Sequence, residues 1–259
     1  MLGQKNSGGR PRDDRAAWTR KEIAHLLSAP IWHGCASLDR RFSPGNEIIH
    51  DGWYWLPSMM ILYGGRSAEF AGLPMSDVHE VEEIPFFQVD FSESCRLKNG
   101  QSIRKLPIHP ELIRLGFIDY LAAMRAANHG LLFPEMYSEA SGSFSKTFYQ
   151  TVFMKWRDWA FPNGTSWRHQ VGGAVKDKDV RSFRGSAATF LKGRVEDSLV
   201  EDILGHEGSS QTKRLYAEET ELELKLDALK LLTPMTAHLE KKLLQLRPVD
   251  RQRFGAGGR

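Results

Sequence analysis

A histidine and a tyrosine ten residues apart, His206 in Leu204-Gly205-His206 and then Tyr216, are the residues of this chain best suited to chemistry. Upstream, Arg181-Ser182-Phe183-Arg184 sets two arginines on a short helical stretch. A tyrosine hydroxyl is a weak nucleophile at its free pKa and needs cationic groups close by. Guanidinium forks and an imidazole suit the oxygens of a phosphate whose negative charge grows during attack. These residue types point to a tyrosine that attacks a phosphodiester.

Two further candidates lie in the first half. Arg66 is followed three residues on by Glu69, a spacing that places both on one helix face. Lys98 precedes Asn99-Gly100, and Asn-Gly is the strongest short hairpin signal, so its ammonium is expected at or beside a hairpin tip. Taken singly, each has a duller reading. Arg66 and Glu69 would be an ion pair, Lys98 a solvated lysine, His206 a helix-terminus histidine and Tyr216 a packing residue.

The elements that must position these groups read as follows. Thr19-Arg20-Lys21-Glu22 has the spacing of a capping box opening a helix. Residues 35–46 read as a loop and residues 53–63 as a buried helix ended by Gly64-Gly65. Strands are expected over 84–91 and 103–108. Pro110 opens a helix expected to run to about Asn128. Phe144, Phe148, Val152 and Trp156 recur at helical spacing, and residues 179–191, 196–204 and 211–217 read as further helices. Leu222, Leu226 and Leu229 form one apolar stripe before Pro234, and Leu239, Leu243 and Leu244 form another after it. Trp53, Trp55, Trp156 and Trp159 are read as core. The fold class expected is mainly α with a small antiparallel β-sheet, an α+β domain over residues 16–246. Residues 1–15 and 247–259 are basic, Gly-rich and expected to be flexible tails.

Composition narrows the class without deciding it. Of 259 residues, 41% are hydrophobic and 26% charged, enough apolar content for a core. The net charge of +3 is compatible with a polyanionic partner but too small to demonstrate one. Two cysteines, Cys35 and Cys95, are too few for a disulfide framework and point to a reducing, cytoplasmic setting. No apolar run is long enough to cross a bilayer. The chain has no His-Glu-x-x-His, paired Cys-x-x-Cys or Walker-type phosphate loop, which argues against a zinc enzyme and an NTPase.

Taken together, the motifs resemble the catalytic domain of the tyrosine recombinases, the phage-integrase type of site-specific recombinase. Tyr63-Gly64-Gly65-Arg66-Ser67-Ala68-Glu69 is similar to the family's first arginine motif, and Lys98, followed by Arg104 and Leu106-Pro107-Ile108-His109-Pro110, to its hairpin lysine. Arg184 resembles the second arginine, Leu204-Gly205-His206 the closing histidine and Tyr216 the nucleophile. The match runs from about Trp18 to Leu232 in family order. Where the family has histidine three residues before the second arginine, this chain has Arg181.

The resemblance implies site-specific DNA recombination or integration through a 3′-phosphotyrosyl intermediate, in a protein of a phage or another mobile element. Double-stranded DNA would be the partner, with no metal, cofactor or ATP. Catalytic roles would fall to Arg66, Lys98, Arg181, Arg184, His206 and Tyr216, with Glu69 orienting Arg66. The family's separate DNA-clamping domain has no counterpart here, so a catalytic domain alone is expected. The C-terminal helices would dock on a neighbouring protomer on DNA, or else fold back on their own domain. The rival reading is a non-catalytic relative that kept the fold as a DNA-binding remnant.

Overall fold

The computed structural model describes residues 16–94, 102–162, 168–171, 174–205 and 220–247. About half of it is helical, with a small three-stranded antiparallel sheet, an α+β architecture. Thr19 caps helix α1 (Arg20–Leu26) through a complete capping box with Glu22, and a one-turn helix α2 (Pro30–His33) follows.

Helix α3 (Gly52–Tyr63) runs through the core. Asp51 caps it by accepting from the Trp53 and Tyr54 amides, while the Arg41 guanidinium holds the same carboxylate at 2.9 and 3.0 Å. Nearly every α3 residue is buried, so the helix is apolar around its whole circumference and has no solvent face. Trp55 and Trp156 are fully buried, whereas Trp53 and Trp159 pack against the core's edge. The last residue of α3 ties it to the sheet. Tyr63 Oη donates to the Pro107 carbonyl at 2.8 Å and accepts from the His109 amide at 2.6 Å.

A turn leads into α4 (Ser67–Ala71). The sheet follows, in the order β1 (Val78–His79), β2 (Phe86–Val89), β3 (Arg104–Pro107). The β2–β3 register pairs Phe87 with Leu106 and Val89 with Arg104, so the described ladder stops short of Asn99-Gly100. Lys98 itself lies outside the described residues.

Residues 110–128 are two helices rather than one, α5 (Pro110–Arg114) and α6 (Phe117–Ala126). Gly116 separates them at φ 97°, a left-handed turn that no continuous helix accommodates. The helix through Phe144 is present as α7 (Phe144–Thr147) and α8 (Met154–Ala160), joined by a π-helical segment, Phe148–Phe153. A second antiparallel pair, β4 (Arg168–Val171) and β5 (Ala174–Asp177), was not expected from the sequence. Its signal was there, since Gly172-Gly173 separates the strands and Gly-Gly is a two-residue hairpin dipeptide.

Helices α9 (Ser182–Leu191) and α10 (Asp197–Leu204) follow, then α11 (Thr220–Lys230). The helix expected around Leu239, Leu243 and Leu244 is absent; residues 239–247 form an extended arm along the chain's own core. His50 replaces the helical hydrogen bonds there. Its amide donates to the Gln245 carbonyl at 2.7 Å, and its Nδ1 accepts from the Gln245 amide at 3.2 Å. Burial alternates along the arm, with Leu244 and Leu246 against the core and Leu243 out in solvent, the period of a strand. Over the described residues 220–247 the chain is therefore α11, a short 3-10 turn (Thr233–Met235) and an arm, not two helices. The expected helix at 211–217 and both tails lie outside the described residues. Among the described residues no helix is long and apolar enough to cross a membrane.

Candidate active site

The turn after α3 builds the site. Gly64 caps α3 at φ 57°, and a Cβ there would stand 2.8 Å from both Ala187 Cβ of α9 and Leu204 Cδ2 of α10. A Cβ on Gly65 would stand 2.4 Å from the Phe70 ring. The two glycines thus let three helices converge on the backbone that carries Arg66. Arg66 is the extended N-cap of α4 rather than a residue on its face, so the expected helix-face pairing with Glu69 is instead a loop-back.

Glu69 is buried and accepts from both ends of Arg66. Its Oε2 takes the Arg66 amide at 2.9 Å and its Oε1 takes Arg66 Nη1 at 2.8 Å. Oε2 also accepts from Arg104 Nη2 at 2.9 Å. Burial alone would push the Glu69 carboxyl up. The Arg104 charge, with hydrogen bonds from Arg104 and Arg66, outweighs it and holds the group below the usual carboxylate range. One carboxylate therefore serves two guanidinium groups, leaving the cluster net positive.

Arg66 also reaches across the fold. Its Nη1 donates to Ser102 Oγ at 3.2 Å, and both Nη atoms lie 3.4 Å from the Gly205 carbonyl. Gly205 is the left-handed cap of α10, the residue before His206. The Arg66 side chain is a third exposed.

Arg184 approaches the same turn from α9. It is half-buried, and its Nη1 donates to the Gly64 carbonyl at 3.4 Å. Arg181 caps α9 and is exposed, its amide donating to Asp179 Oδ1 at 2.8 Å. The segment ahead of α9 is pinned to the chain's start. Lys178 Nζ bonds Glu22 at 2.6 Å and sits over the Trp18 ring, while Trp18 Nε1 donates to the Asp179 carbonyl at 3.0 Å. Ser186 Oγ closes the connection by donating to the Trp18 carbonyl at 2.9 Å.

Arg66, Glu69, Arg184 and the residue preceding His206 are thus brought to one turn, and Arg181 stands one helical turn before Arg184. Lys98, His206 and Tyr216 lie outside the described residues. Sequence reasoning missed a role for Arg104. The signal was alternation, because Ser102, Arg104, Leu106 and Ile108, along and beside β3, are buried while Ile103 is exposed. An arginine on a core face needs a buried partner, and Glu69 is that partner. Among the described residues, no group of three His, Cys, Asp or Glu side chains is placed to hold a metal ion.

No family model matches the chain, and no curated protein sequence does. Among solved structures it is similar to the crystal structure of XerA recombinase. The match has 16% sequence identity and a TM-score of 0.45, over 88% of this chain and 65% of that one. The chain thus spans just under two thirds of that neighbour's length.

Proposed function

We propose that the chain cuts and rejoins double-stranded DNA as a tyrosine recombinase, through a covalent link on Tyr216. The observation that carries this reading is the convergence of Arg66, Arg184 and Gly205 on the Gly64–Arg66 turn, from three segments far apart in sequence. Guanidinium groups gathered at one turn, with the Arg66 side chain a third exposed, suit a pentacovalent phosphate, since its charge grows on the nonbridging oxygens. In the proposed reaction the Tyr216 oxygen bonds to phosphorus and the bond to the 5′-oxygen breaks, leaving a 3′-phosphotyrosyl link. Lys98 supplies the proton that the departing 5′-oxygen takes up. Rejoining reverses these steps with an incoming 5′-hydroxyl, and the bond energy is kept in the phosphotyrosyl link.

Arg181 adds positive charge and cannot take the tyrosine proton, because arginine stays protonated at accessible pH. That proton passes to water, to the phosphate or to another residue. The exposed Arg181 also supports the second reading, a DNA-binding relative without turnover.

A duplex nicked so that the 5′ product diffuses away separates the two. The wild-type chain should form an adduct that survives denaturing electrophoresis, with excess chelator present, and Tyr216→Phe should bind the duplex and form none. Binding without any wild-type adduct would favour the second reading, and an adduct in the phenylalanine variant would displace Tyr216 from its role.

A further inference from the structure

We propose that Arg104 is a positioning residue of this site, holding strand β3, the Arg66–Glu69 pair and the C-terminus of α10 in one fixed arrangement. The proposal rests on the strand-cleavage reading above and assigns Arg104 no contact with DNA.

Each nitrogen of its guanidinium faces a different segment. Nη2 donates to Glu69 Oε2 at 2.9 Å, Nε to the Ile203 carbonyl at 3.0 Å and Nη1 to the Ser102 carbonyl at 2.8 Å. The side chain is 3% exposed, and that of Glu69 is 1%. Ile203 lies in the last turn of α10, where carbonyls lack helical partners and the helix dipole favours a cation. Gly205 then lies against the guanidinium itself, since a Cβ there would stand 2.7 Å from Nη1 and 3.0 Å from Cζ. Glycine at φ 65° both makes that turn and leaves room for the arginine.

The consequence is a chain of contacts with no long flexible link. Arg104 holds Glu69, Glu69 holds both the backbone and the guanidinium of Arg66, and Arg66 reaches the Gly205 carbonyl. Arg104 closes the circuit at Ile203, two residues before Gly205. The proposed nucleophile follows Gly205 in sequence and the proposed general acid precedes Ser102, so one buried fork fixes the starting points of both. A lysine, with a single compact ammonium, cannot span three such acceptors in one plane.

The test uses the full chain with Arg104→Met and Arg104→Lys, read in two independent ways. The first is adduct formation on the nicked duplex across pH, beside DNA affinity. Arg104→Met should bind DNA with near wild-type affinity yet form adduct roughly 10²-fold more slowly, the cost of misplacing a catalytic group by about 1 Å. Its pH profile should gain an acidic limb as Glu69, having lost the Arg104 charge and hydrogen bond, becomes easier to protonate. Arg104→Lys should keep Glu69 ionised, show no acidic limb and still be slower than wild type.

The second reading needs no activity: carboxyl 13C NMR of Glu69, titrated in wild type and both variants. The Glu69 titration should move up in the methionine variant and stay low in the lysine variant. If the wild type forms no adduct, the cleavage reading fails and the Glu69 titrations alone judge the clamp. If Arg104→Met does not fold, Arg104→Lys is read in both assays. Wild-type adduct rates in Arg104→Lys, or an unmoved Glu69 titration in a folded Arg104→Met, would overturn the proposal.

Discussion

Replacing Glu69 with glutamine changes one oxygen for one nitrogen in a site where every described contact donates to the carboxylate. Oε1 takes Arg66 Nη1, and Oε2 takes both the Arg66 amide and Arg104 Nη2. Either orientation of the amide points its NH2 at a donor. The charge matters more than that clash, because Arg104 would keep its cation at 3% exposure with no anion described beside it. Removing one partner of a buried ion pair costs about 3–5 kcal/mol. The Ile203 and Ser102 carbonyls still solvate the guanidinium, so the expected loss is at the lower end, about 3 kcal/mol.

Urea unfolding at neutral pH measures it. A double variant with Arg104→Met should cost less than the sum of the two single changes, because each then removes a charge the other needed. The pH dependence has a definite sign. The folded carboxyl titrates below the unfolded value of about 4.3, so its stabilisation is fully present above that pH and is lost as pH falls through the lowered folded value. Glu69→Gln should abolish that part of the acid loss. A midpoint shift corresponding to less than about 0.5 kcal/mol, the range of inconsequential surface changes, would refute the reasoning.

Three further outcomes are expected. Gly64→Ala should lose about 1–3 kcal/mol by calorimetry, since it adds a methyl at φ 57° between Ala187 and Leu204; unchanged melting would show that the three helices do not converge there. Burial holds His50 and His109 down to about 4, so each should make stability fall as pH drops from about 6.5 to 4; their 15N signals should show neutral rings at pH 5.5, and imidazolium signals there would contradict the packing. Glu135 behaves oppositely, pushed up to about 7 by burial and by Asp51, so Glu135→Gln should raise stability more at pH 8 than at pH 5 in urea titrations, since the penalty of the carboxylate grows from the unfolded value of about 4.3 up through 7. An equal effect at both pH values would show that Glu135 is ionised throughout.

Several elements were legible because their causes are local. Thr19 and Glu22 announce a capping box through spacing alone, and both of its hydrogen bonds form. The apolar run 53–63 followed by two glycines describes a buried helix and its left-handed stop. Elements that depend on distant partners were misread. The stripe at Leu239, Leu243 and Leu244 fits a helix, yet the partner for its backbone is His50, nearly two hundred residues away. The run from Pro110 reads as one helix until Gly116 takes a positive φ.

The candidate site divides along the same line. Sequence alone named the side chains proposed for the chemistry, since the order of Arg66, Arg184, His206 and Tyr216 and the glycines before Arg66 are written in the chain. It also determined that Arg181 cannot act as a base, a matter of side-chain chemistry rather than position. Only the tertiary structure brings Arg104 to Glu69 and, through it, to Arg66. A buried guanidinium is tolerated where a carboxylate and carbonyls meet it, and Glu69, Ser102 and Ile203 meet at that point only after β3, α4 and α10 have packed.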